Sequence, residues 1–136
     1  MRRTWPTYWS LSLPRLESCR FPFRMSPPAL ARTPEPPYYA VIFTSLRTEG
    51  DHGYGRMAER MLELAAQQPG YLGVESARDP GGLGITVSYW ESESAIANWK
   101  AHAEHQTAQE GGRKVWYSQF RLRVARVERD GGKSDT

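Results

Sequence analysis

Tyr71-Leu72-Gly73-Val74-Glu75-Ser76-Ala77 and Gly84-Ile85-Thr86-Val87-Ser88-Tyr89-Trp90 are two short runs rich in β-branched and aromatic residues, separated by Asp79-Pro80-Gly81-Gly82. Such runs favour strands. The paired glycines tolerate positive φ, so the connection is a turn and the two runs form a hairpin. Working upstream, Pro69-Gly70 stops a helix over Tyr54 to Gln68, in which Met57, Met61, Leu64 and Ala65 recur at spacings of three and four. Before it, Gly50-Asp51-His52-Gly53 is a loop, and Tyr39-Ala40-Val41-Ile42-Phe43-Thr44-Ser45-Leu46 is a first strand.

Working downstream, Ser92 or Ser94 caps a second helix, which runs to about Glu110 with a break expected near Ala101 and ends at Gly111-Gly112. A last strand spans roughly Val115 to Arg129. Trp116, Phe120, Leu122 and Val124 share one parity on it and Val127 takes the other, which points to a β-bulge or to a change from half-buried to fully buried surroundings. The order β-α-β-β-α-β is the α+β, ferredoxin-like split βαβ sandwich. Its sheet carries helices on one face only, so the other face needs cover, and a second copy of the chain is the economical source. A homodimer forming an α+β barrel is therefore expected.

Three segments follow: an extension over 1–37, a domain over 38–129 and a tail over 130–136. Residues 1–37 hold eight of the ten prolines, and six arginines against two acids, a net +4. Proline removes a backbone donor and disfavours helix in the residue before it, so this stretch should be extended or disordered. It lacks the clean apolar run of a secretory signal, and its prolines do not suit a transit peptide. A translation start at Met25 is the expected alternative. Residues 38–136 hold twelve basic and thirteen acidic residues. The basic character is thus confined to the extension, and nucleic-acid binding by the domain loses its electrostatic argument. No stretch approaches the roughly 18 apolar residues of a membrane helix, the single cysteine, Cys19, permits no intrachain disulfide, and a cytoplasmic protein is expected.

Four runs carry a family resemblance. Gln68-Pro69-Gly70-Tyr71-Leu72-Gly73 enters the second strand, and Ser88-Tyr89-Trp90-Glu91-Ser92-Glu93 leads from the third strand into the second helix. Asn98-Trp99-Lys100-Ala101-His102 lies within that helix, and Arg123-Val124-Ala125-Arg126-Val127 closes the domain. Together they resemble the antibiotic biosynthesis monooxygenase family over Tyr38 to Arg129. The resemblance implies a dimeric barrel with a pocket between the helices and the sheet of each protomer. It also implies an activity drawn from a varied set, including cofactor-free oxidation of phenols and haem cleavage. The haem-degrading relatives use an Asn on the first strand, a Trp in the second helix and a His ten residues later. Here Trp99 matches, but Gln109 stands where that His would be and Asn98 is the only asparagine. An amide is a poor axial iron ligand beside imidazole, so haem degradation is disfavoured.

Cofactor-free oxygenation needs a base, a dry aromatic pocket and polar donors for the oxygenated intermediate. At about 100° per residue, Ala95, Ile96, Trp99, Ala103 and Gln106 share one helix face, and His102 lies about 60° from Trp99. His102 is the candidate base, with Trp99 and His105 as the other catalytic candidates. Trp90, Tyr89, Tyr117 and Asn98 are candidates for lining the pocket. Each competes with a plainer role: core packing for the tryptophans, a structural or interface hydrogen bond for His102. No cofactor and no metal are expected, because His102 and His105 on one turn lack a third ligand. The Gly50–Gly55 stretch matches no phosphate loop. Arg113, Arg121, Arg123, Arg126 and Arg129 along the last strand suit ion pairs with acids of a partner subunit or exposure at the rim; the alternative is recognition of an anionic substrate. The sequence thus favours a small monooxygenase oxidising an aromatic, phenolic or quinol-like metabolite with dioxygen. The alternative is a non-catalytic dimeric barrel acting as a small-molecule binding or stress-related module.

Overall fold

The computed structural model describes residues 29–109 and 113–133. The expectations for residues 1–28, for Gly111-Gly112 and for the last three residues lie outside them. The elements in chain order are β1 (Tyr38–Arg47), α1 (Tyr54–Ala66), β2 (Tyr71–Arg78), β3 (Leu83–Trp90), α2 (Glu93–Gln109), a helical turn α3 (Arg113–Trp116) and β4 (Tyr117–Val127). The four strands form one antiparallel sheet in the order β2-β3-β1-β4. β3 is thereby inserted between β1 and β2, the split βαβ arrangement.

Local chemistry fixes the joints. Asp79 closes the hairpin: its carboxylate accepts from Leu83 N–H at 3.1 Å, and Gly82 takes φ +102°. Asp51 holds the start of α1, accepting from the N–H groups of Gly53 and Gly55 at 3.0 and 3.1 Å. Ser92 caps α2, its Oγ accepting from Ala95 N–H at 3.1 Å. The helix continues through Ala101, where a break was expected.

Register assigns the two faces of the sheet. Tyr39, Val41, Phe43 and Ser45 of β1 stand opposite Trp90, Ser88, Thr86 and Gly84 of β3, and opposite Arg126, Val124, Leu122 and Phe120 of β4. This is the helix side. Val41, Ala65, Trp90, Ala95 and Ile96 form its buried core, with Tyr39, Tyr71 and Trp99 packed around them. The helices sit over the β2–β3 half. On the β4 side Phe120 and Leu122 remain 40% exposed and Val124 53%. The opposite, outer face carries Tyr38, Ala40, Ile42 and Thr44 with Tyr89, Val87 and Ile85 beside them. Residues 29–37 form no strand or helix, and they are held. Ala31 N–H donates to Glu75 at 3.0 Å, and Thr33 Oγ1 bonds the Tyr38 hydroxyl at 3.0 Å.

Two expectations for the last strand are corrected. Trp116 is not a strand residue. It closes the turn α3, 2% exposed, with its indole N–H donating to the His52 carbonyl at 3.0 Å. The irregularity lies at the strand's start, where pairing steps from Leu46–Gln119 to Arg47–Tyr117 and leaves Ser118 over. Pairing is continuous up to Val127, which stands opposite Tyr38 on the outer face. Val127 changes parity relative to Val124 because it belongs to that other face, not because a bulge precedes it.

Candidate functional site

Trp90 sits at the end of β3, fully buried, with its indole N–H donating to Ser88 Oγ at 2.9 Å. Trp99, nine residues on and in α2, stacks on it with ring centroids 6.1 Å apart and planes 20° apart. His102, one turn further along α2, stacks on Trp99 at 5.8 Å and 27°. The i, i+3 spacing brings the last pair onto one stripe of the helix. Three rings thus step outward from the core. Trp90 is wholly covered and supports Trp99 without offering a surface of its own. His102 lies on the helix side of the sheet. Its Nε2 is enclosed and meets no hydrogen-bond partner among the described residues. An enclosed polar nitrogen without a partner is costly unless something else uses it.

Not every sequence candidate joins this group. Tyr89 does not: it lies on the outer face, edge-to-face with Tyr38, and its hydroxyl donates to Glu75 at 2.8 Å. Burial first, then the Glu75 carboxylate, pushes that phenol up to about 12. His105 and Asn98 are exposed. Tyr117 is on the helix side but at the far end of the sheet, where it meets Phe43, Tyr54 and Phe120 at ring distances of 5.4, 5.7 and 6.0 Å. Burial, together with its hydrogen bond to Tyr54, raises the Tyr117 hydroxyl far above the ordinary phenol range. Arg78 and Arg47 pull weakly the other way.

That far end contains residues the sequence reading passed over. Arg78, Gly84, Ser45 and Phe120 form one register row across all four strands. The Arg78 guanidinium lies flat over Gly84, in the space a side chain there would fill. From there it donates to Ser45 Oγ at 2.8 Å, to the carbonyls of Ser45 and Gly82, and to the Tyr54 hydroxyl at 3.3 Å. Arg47 stands over the Tyr54 ring, its Cζ 3.9 Å from the centroid, and donates to the carbonyls of Trp116 and Gly50. A glycine inside a strand signals a close approach, so Gly84 was the available clue.

Val41 and Phe43 connect the two ends. The Trp–His stack is anchored near Val41 and the Arg–Tyr cluster near Ser45, about 13 Å apart along the strand at ~3.3 Å per residue. Between them lie the exposed Phe120, Leu122 and Val124. The result is an apolar floor with a stacked imidazole at one end and a phenol backed by two guanidinium groups at the other.

Residues 37–111 match the family described as antibiotic biosynthesis monooxygenase. The chain belongs to that family. It is similar to the uncharacterised protein YqjZ of Bacillus subtilis, at 62% identity over 100 residues, covering 74% of this chain and 88% of the relative. Among solved structures it is similar to SnoaB, a cofactor-independent oxygenase from Streptomyces nogalater. That match has a TM-score of 0.54 and 10% identity, and it covers 71% of this chain and 97% of the other. A Pseudomonas aeruginosa protein matches with a TM-score of 0.55 at 14% identity, over 72% of this chain and 99% of that one. At such identities the structural likenesses establish the shared fold. Among the described residues of this family member, no helix is long and apolar enough to cross a membrane.

Proposed function

We propose that the protein is a cofactor-independent monooxygenase that oxidises an aromatic, phenolic or quinol-like metabolite with dioxygen, with His102 as the base. The observation that carries the reading is the enclosed, unpartnered Nε2 of His102 beside Trp99, over an apolar floor. A flat ligand would lie against Phe43, Leu122 and Val124, with Trp99 as its stacking partner. A neutral imidazole carries a basic ring nitrogen and suits proton removal. Taking a proton from an activated C–H or phenolic O–H leaves a carbanion or phenolate, electron-rich enough to react with dioxygen. The proton returns as the hydroperoxide forms. Loss of water from that intermediate leaves one oxygen atom in the product as a carbonyl. The family membership and the cofactor-independent oxygenase among the fold relatives support the same reading.

The outer face supports a homodimer as the working unit. Ile85 is 45% exposed and Leu83 44% on that side, and no helix among the described residues covers it. An open apolar sheet face of this kind ordinarily packs against another layer.

Oxygen uptake by the purified full chain, with an anthrone or a hydroquinone as substrate, tests the activity. His102→Ala is expected to lower kcat by at least about 100-fold, within the usual range for loss of a general base. Trp99→Phe, which shortens the stacking surface, is expected to raise KM more than it lowers kcat. Uptake absent from the wild type, or unchanged in His102→Ala, refutes the enzymatic reading. Retained ligand binding without uptake would mark the barrel as a binding module.

A further inference from the structure

Arg47 and Arg78 are both half-buried, and neither has a carboxylate within 4 Å among the described residues. The one ion pair among the described residues joins Arg126 to Glu128 at the surface. Every group that accepts a hydrogen bond from the two guanidinium groups is neutral: carbonyls of Ser45, Gly50, Gly82 and Trp116, and hydroxyls of Ser45, Thr48 and Tyr54. Four N–H groups of Arg78 and three of Arg47 are used in this way, and the charge is not balanced. Sequestering two cations around one tyrosine ring without a counter-charge costs stability. The domain, residues 38–129, has eleven acids available. Fastening the β2–β3 turn and the β1–α1 loop explains the carbonyl contacts. It does not explain why two like charges converge on Tyr54, with Cζ atoms 3.9 and 5.8 Å from its ring centroid.

We propose that this end of the apolar floor binds an anionic oxygen carried on the aromatic ligand, with the Arg47–Arg78 pair supplying the counter-charge and the Arg47 N–H groups that no described residue accepts from as the donors. The proposal rests on the functional reading above and names the class of ligand: an aromatic ring bearing a carboxylate or an ionised phenol. The ring lies on Phe43, Phe120 and Leu122, and its reacting edge points along β1 towards His102. The charged group is then held at the opposite end from the base. Tyr117 meets Phe43, Phe120 and Tyr54 edge-on and gives its hydroxyl proton to Tyr54, which also accepts from Arg78, so it lines this end without donating to the ligand. Burial keeps that hydroxyl protonated well into the alkaline range.

Binding titrations on the full chain at pH 7 with 2-naphthoate and 2-naphthol test this, the first charged and the second neutral. The wild type is expected to prefer 2-naphthoate by about tenfold or more, as a charge-assisted hydrogen bond provides. Arg78→Met is expected to bring the two affinities within about threefold while 2-naphthol still binds. Should Arg78→Met not fold, Arg47→Gln carries the test and is expected to reduce the preference at least about threefold. Raising the pH until 2-naphthol ionises distinguishes the two sources of charge: a gain in its affinity admits phenolates, and no gain confines the site to carboxylates. Equal binding of the two ligands by the wild type, or an unchanged preference in every variant that folds, overturns the proposal. If 2-naphthol binds and a neutral hydroquinone is turned over without any preference for charge, this inference fails and the monooxygenase reading stands. If neither naphthalene binds while the hydroquinone is turned over, this inference alone fails; without turnover as well, both fail.

Discussion

The guanidinium of Arg78 occupies the place where a side chain at Gly84 would stand, so the charge on β2 and the missing side chain on β3 are two halves of one feature. An alanine at position 84 would force the guanidinium away from Ser45, Gly82 and Tyr54 together. Gly84→Ala is expected to cost about 1–3 kcal/mol, the usual range for overpacking, read as a lower urea midpoint with an unchanged slope. The same substitution combined with Arg78→Ala should cost less than the two changes summed, because the overlap is removed with the guanidinium.

Ser92 gives a second, independent prediction. Its hydroxyl satisfies one of the orphan N–H groups at the start of α2, the helix that positions Trp99 and His102. Ser92→Ala should cost about 1 kcal/mol in urea unfolding. Ser92→Asp should recover that loss, since its carboxylate also meets the positive end of the helix dipole.

These two features mark what the sequence discloses and what it hides. The strands, the helices and the hairpin are local: alternation, a three-and-four spacing and a Pro-Gly or Gly-Gly break are written in consecutive residues. So is the pairing of Trp99 with His102, one turn apart. Tyr89 was equally decidable, since strand neighbours point to opposite faces and Trp90 is the core residue, so Tyr89 must face away. The helical turn at Trp116 and the leftover Ser118 were not legible. They arise from contacts of Trp116 with His52 and Thr48, more than sixty residues distant in the chain. The cluster of Arg47 and Arg78 around Tyr54 is likewise non-local, joining three separate elements through the sheet register. Only Gly84, a glycine within a strand, hinted that something lies close above it.

The proposed dimer predicts a specific sensitivity on the outer face. Ile85 lies there at 45% exposure, one strand from Thr44. Ile85→Glu introduces a charge that two apposed sheets could not solvate. Sedimentation of the wild type should give twice the chain mass of 15.5 kDa, and the variant should sediment as a single chain with its far-ultraviolet circular dichroism retained. A wild type that sediments as a monomer at all concentrations would contradict the dimer.

Tyr89 supplies a pH test of the same outer face. Its phenol is raised to about 12 by burial and by the Glu75 carboxylate that accepts its hydrogen bond, against an ordinary value of about 10. A raised folded-state value means that the native protein holds this proton more tightly than the unfolded chain does. The stabilisation is complete below about pH 10, where both states are protonated, and is lost progressively between about 10 and 12 as the unfolded chain ionises first. The urea midpoint of the wild type should therefore fall across that window. Tyr38, Tyr71 and Tyr117 are raised as well and contribute in the same direction, so the fall should be shallower, not absent, in Tyr89→Phe. Glu75→Gln retains an acceptor for the hydroxyl and removes the negative charge. It should move the Tyr89 phenolate absorbance transition towards lower pH, and a transition that stays put would show that burial alone sets the shift.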